Sequence, residues 1–207
     1  MSFSFVPTTR EVLEQIVREP RFRAQTQIPV FAPMEIGLLI GCYALFALSS
    51  YLFIVEMLPL PLMLVINGFA IYAVFTPLHD ATHRTCSGNR TVNDLLGTLA
   101  CLLLIPGITT RIYRYLHLEH HRYAGDPKRD PDEVFVAAKP IALPFVLTCI
   151  DLVWTFWYLR RWQSRPRNER IEFTFCIAFY AGFHVVGLLS PWALEFFLLW
   201  MIPQRIG

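Results

Sequence analysis

The chain has 207 residues, of which 55% are hydrophobic, a mean hydropathy of +0.43 and a formal net charge of +2. That apolar excess excludes an ordinary water-soluble domain, and so small a net charge gives no basis for a nucleic-acid partner. The cysteine count is 5, and an odd number placed mostly in apolar stretches excludes a disulfide framework, so Cys42, Cys101, Cys149 and Cys176 read as small buried hydrophobes.

The first 33 residues lack the apolar core of a signal peptide. The stretch "TTREVLEQIVREP" sets Val12, Leu13, Ile16 and Val17 at helical spacing, and Thr8 with Glu11 has the form of a capping box. Residues 1–33 are expected to be a cytoplasmic N-terminal arm, starting natively at Met1, with an amphipathic helix on the membrane surface or a solvated arm as the alternative. Met34 to Val55 carries one charge, Glu35, and is long enough to cross a hydrocarbon core of roughly 30 Å. Leu58 to Leu78 carries none and returns after the turn "EMLPLP", so the two read as a helical hairpin.

Arg10, Arg18, Arg21 and Arg23 precede the first span, Arg84 and Arg90 follow the second, and Arg111, Arg114, Arg122, Lys128 and Arg129 come next. The positive-inside rule places all three groups in the cytoplasm. Between Arg90 and Arg111, "TVNDLLGTLACLLLIPGITT" is broken by Gly97, Pro106 and Gly107 and has basic flanks, which predicts a re-entrant or interfacial segment. Ile141 to Tyr158 is expected to be an interfacial helix with Asp151 toward the headgroups, because a crossing would export the arginines of "RRWQSRPRNER". Ile171 to Leu189 is the third span, Ser190 and Pro191 suit a cap and a first-turn proline, and Trp192 to Ile202 begins the return. The expected fold class is an all-α integral membrane helical bundle of about four transmembrane helices plus re-entrant or interfacial helices.

Five of the 6 histidines fall in "HDATH", with His79 and His83, and "HLEHH", with His117, His120 and His121. Residues four apart on a helix lie about 40° apart around its axis, so each cluster projects its imidazoles from one face. Grouped on one inferred cytoplasmic face, they point to a metal rather than to isolated polar residues. A zinc protease motif needs glutamate after the first histidine, where Asp80 stands, and "HLEHH" is not its inverted form either. Haem between opposed spans suits the crowded, water-facing ligands less well than non-haem iron.

"HDATH" and "HLEHH", with the hairpin before them and "HHRYAGDPKRDPDE" after them, resemble the first two histidine boxes of the membrane fatty acid desaturase and hydroxylase superfamily, from about Met34 onward. The resemblance implies a membrane desaturase-like domain over 34–207, two non-haem irons, dioxygen as co-substrate, and oxidation of a lipid acyl chain. A carotenoid or alkyl hydroxylase of the same superfamily is the alternative. It further implies His79, His83, His117, His120 and His121 as ligands, with Asp80 and Glu119 either orienting them or standing as solvated surface acids beside a basic loop. Its electron donor would be a ferredoxin or cytochrome, which Arg160, Arg161, Arg165, Arg167 and Arg170 would either steer or, by the simpler reading, ignore while anchoring the loop.

The family's third histidine box has no counterpart. After His121 only His184 remains, about 13 residues or roughly 20 Å into the third span, where it is expected to make a helix–helix hydrogen bond rather than to bind metal. Pro191 to Pro203 is short of a full crossing, so a truncated enzyme is expected, with a short non-catalytic paralogue holding a partial metal site, or a haem electron-transfer protein, as competitors.

Overall fold

The computed structural model describes residues 9–21, 27–28 and 30–206, so the capping residue Thr8 lies outside the described residues. In chain order the elements are α1 (Thr9–Arg18), α2 (Pro33–Ile54), α3 (Leu60–Ala73), α4 (Phe75–Thr82), α5 (Arg90–Leu104), α6 (Thr110–Tyr123), α7 (Glu133–Ala137), α8 (Leu143–Thr148), α9 (Ile150–Arg160) and α10 (Arg167–Leu189). A short α11 (Ala193–Phe196), a π-turn (Phe197–Met201) and α12 (Ile202–Ile206) complete it. Among the described residues no strand occurs, and the molecule is an all-helical membrane bundle.

Among the described residues three rods are long and apolar enough to cross a membrane: Pro33–Ile54, Leu60–Thr82 and Arg167–Leu189. The second is α3 and α4 joined through Val74, whose amide still bonds the Ala70 carbonyl at 3.1 Å. Pro77 explains the joint, because it has no N–H to offer the Ala73 carbonyl and its ring crowds that oxygen. In an apolar surround the rods are fastened by a few polar groups. Asn67, fully buried, accepts from Ser49 Oγ and donates Nδ2 to Ser50 Oγ at 3.0 Å and to the Leu199 carbonyl at 2.9 Å. Proline at 203 has no N–H to give that carbonyl in the α-helical pattern, which leaves room for the Asn67 amide.

The segment from Arg90 to Arg111 folds as a re-entrant hairpin would, α5 running in and α6 running back out. Two bonds gauge its depth: Ala32 N–H to the Cys86 carbonyl (3.0 Å) at the start of α2, and Tyr43 Oη to the Leu99 carbonyl (2.6 Å), eleven residues or roughly 16 Å further along it. Gly107 makes the reversal at φ +92°, where a Cβ would sit 2.6 Å from Phe179 Cδ1 and 3.0 Å from the Cys176 carbonyl.

Ile141 to Tyr158 is broken at Cys149 into α8 and α9, too short to cross. Asp151 does not turn toward headgroups. It is buried against Arg205, with Nη2 to Oδ2 at 2.9 Å, and accepts from Tyr180 Oη. Its partner lies 54 residues away in sequence, out of reach of any local pattern. At the far end of α10, Ser190 Oγ accepts from Trp192 N–H at 3.1 Å, as a capping serine does.

Candidate metal centre

The first cluster sits where α4 ends, and that end is held from outside. Asn93 Nδ2 and Arg114 Nη2 both donate to the Ala81 carbonyl (2.7 and 2.8 Å), and Arg114 Nε donates to that of Thr82 (2.9 Å). These are last-turn carbonyls; that of Ala81 also takes Arg84 N–H at 3.1 Å, and the side chains complete the capping. Arg114 is buried and also pairs with Asp94 at 2.5 Å, so one side chain of α6 joins α4 to α5. Arg84 then leaves the helix at φ +63°.

The second cluster occupies the last turns of α6, whose start is capped by Thr109 Oγ1 accepting from Ile112 N–H at 3.3 Å. Gly97 lets the helices close up. A Cβ there would stand 2.6 Å from Ala81 Cβ and 2.5 Å from Thr110 Oγ1, so only hydrogen fits between α4, α5 and α6.

The result is one group of imidazoles. One ring nitrogen from each of His79, His83, His117 and His121 lies within 4.8 Å of the other three. His117 Nε2 is 3.0 Å from His83 Nε2 and 2.9 Å from His121 Nε2. Nitrogens about 2.1 Å from a shared metal ion stand roughly 3.0–3.4 Å apart, so this donor set fits one ion. Burial, and then the neighbouring histidines, push the His117 pKa down to about 3, and burial followed by His79 and His121 lowers that of His83. Neutral imidazoles with free lone pairs are what a metal needs. Tyr113 stacks on His117, centroids 5.7 Å apart and planes at 17°, and fixes the ring from below.

His120 is not brought into that group. Its ring centroid is 5.8 Å from that of His121, and its Nδ1 is tied to Asp130 Oδ1 at 2.8 Å, which leaves Nε2 as its free donor. Asp130, whose side chain is fully buried, also accepts from Gly125 N–H and Asp132 N–H at 2.8 Å. Burial pushes its carboxyl up, but those amides and His120 outweigh it and hold the pKa below the usual range. Asp132 bonds Trp154 Nε1 at 2.8 Å and lies 3.5 Å from His120 Nδ1, and its pKa is raised by burial.

Asp80 stands 3.3 Å from His79 Nδ1, in position to orient it. Glu119 orients no histidine, because it pairs with Arg122 one turn on at 2.8 Å. His184 lies apart, its Nδ1 on the Tyr180 carbonyl of its own helix at 2.8 Å and its ring 5.4 Å from that of Trp200.

Residues 56–207 match the family described as Fatty acid desaturase. The chain belongs to the fatty acid desaturase family. It is 33% identical over 97 residues to an sn-1 oleoyl-lipid 12-desaturase of Picosynechococcus sp., a match covering 47% of this chain and 26% of the relative. A dihydrorhizobitoxine desaturase of Bradyrhizobium elkanii is 28% identical over 169 residues, covering 69% and 46%, and beta-carotene 4-ketolase 3 of Haematococcus lacustris is 28% identical over 107, covering 51% and 32%. The chain thus spans about a quarter to a half of the length of these relatives. No solved structure matches it. Family membership makes this an integral membrane protein of an oxidoreductase family.

Proposed function

We propose that the chain supplies the metal-binding part of a membrane di-iron oxidoreductase that oxidises a lipid acyl chain with dioxygen. The convergence of four imidazoles beside an aspartate-held fifth carries this reading. His79, His83, His117 and His121 would hold iron, with His120 offering Nε2 beside them. Residues 1–33 form a cytoplasmic arm, 34–207 the membrane domain, and both histidine clusters face the cytoplasm with the arginines that flank them.

Iron held there supplies the redox chemistry that, with dioxygen and electrons from an acidic carrier such as a ferredoxin or cytochrome, removes hydrogen from an unactivated C–H bond. The remaining work belongs to the chain. Asp130 keeps the proton of His120 on Nδ1 and so presents Nε2 outward, and Asp80 does the same for His79. Tyr113, stacked on His117, also lines a small, mainly apolar cavity of about 30 Å³ with Ile105, Ile112, Leu116, Trp154 and Phe173, which packs the wall behind the imidazoles.

The test joins the chain to the C-terminal histidine-box segment of a complete relative and supplies iron, ferredoxin, its reductase and dioxygen. A new double bond or hydroxyl in an oleoyl lipid, absent without dioxygen, is expected. Oxidation of β-carotene alone would move the substrate to the carotenoids, which the ketolase relative keeps in view. Bound iron with neither product would refute the oxidative role.

A further inference from the structure

The arginines of α6 and the post-histidine turn do not face the imidazoles. Arg84, Arg111, Arg114, Arg122 and Arg165 line a separate open pocket of about 410 Å³, on another face of α6 and bordered by the start of α10. Three carboxylates share it, each already matched: Asp94 by Arg114, Glu119 by Arg122, and Glu169 by Arg165. Among the described residues this leaves Arg84 without a carboxylate of its own, on a backbone at φ +63° that a non-glycine residue adopts at a cost.

An apolar groove lies beside this pocket, across one ion pair. Arg111 on its rim pairs at 3.2 Å with Glu172, which lines a second, open depression of about 710 Å³ against the 105–109 reversal. From there Ile171, Phe175 and Phe179, all exposed, form one stripe of α10 leading away from the arginine end. A guanidinium cluster next to an apolar stripe at the end of a membrane rod matches one molecular shape. Phosphate takes paired N–H donors from arginine, and an acyl chain covers the stripe.

We propose that this surface is a binding site for an anionic glycerophospholipid, its phosphate among Arg84, Arg111 and Arg122 and one acyl chain along Ile171, Phe175 and Phe179. The site lies apart from the imidazole group and does not depend on what metal that group holds.

Native mass spectrometry of the full chain released from nanodiscs with equal dioleoyl-phosphatidylglycerol and dioleoyl-phosphatidylcholine tests it. Phosphatidylglycerol should be retained preferentially, and each arginine removed should cut that preference about fivefold. Arg84→Asn, which tolerates the left-handed backbone, and the exposed Arg122→Gln are the milder variants, and together they should abolish most of it. Arg160→Gln, outside the pocket, should leave it intact. Equal retention of both lipids by the unmodified chain overturns the proposal without any variant, and so does a preference that survives the double substitution. Displacement of the lipid by millimolar inorganic phosphate or glycerol phosphate would show a free-phosphate site with no part for the groove, and overturns the lipid assignment.

Discussion

Asp130 shows what a residue-level reading of the sequence reaches and what it misses. The five histidines announce themselves by spacing, because i, i+3 and i+4 positions share a helix face whatever the fold. Asp130 sits in "GDPKRDPDE" among acids that a solvated loop would also carry, and only the return of the chain after Gly125, at φ +79°, brings it to His120. Glu119 looked equally suited and is engaged by Arg122 instead. Asp130→Asn keeps the shape but loses the charge that holds the His120 Nδ1 proton, so any iron that His120 Nε2 helps to hold should bind about 10–100-fold more weakly while helix content stays unchanged. Glu119→Gln should leave affinity within about twofold, since a surface i,i+3 pair contributes little. His184→Ala should likewise leave iron content intact, its ring being held by Tyr180, Phe183 and Trp200. Iron loss matching that of His117→Ala would place His184 in the metal site.

At the scale of elements, the three rods were legible because uninterrupted apolar length is the signal for crossing a bilayer. The reversal between α5 and α6 was legible from its basic flanks and its Gly and Pro breaks. The tertiary bonds that set depth were not, since Tyr43 to Leu99 and Asp151 to Arg205 join residues more than fifty positions apart. Gly97 reads in sequence as a break, yet in the structure it is a contact point. Gly97→Ala should destabilise the chain by about 1–3 kcal/mol through overpacking against Ala81 and Thr110, seen as a lower thermal midpoint in detergent. Thr110 donates to the Asp94 carbonyl at 2.7 Å and cannot simply swing aside, so an unchanged midpoint would mean the three helices are less tightly joined than their geometry says.

For the whole molecule, orientation and metal count are the properties to measure. With the arginine-rich segments inside, Gln163→Cys should react with a membrane-impermeant thiol reagent only from the cytoplasmic side. Met57→Cys, in the exposed turn between α2 and α3, should react only from the other. Labelling of both from one side would invert or break the proposed hairpin. The most direct test is anaerobic titration of the purified 207-residue chain with ferrous iron, followed by metal analysis of His117→Ala and His184→Ala. Because the four converging nitrogens fit one ion, about one iron per chain is expected, lost in His117→Ala and retained in His184→Ala. Two tightly held irons, iron that survives His117→Ala, or a haem Soret band in place of ferrous binding would contradict the imidazole centre.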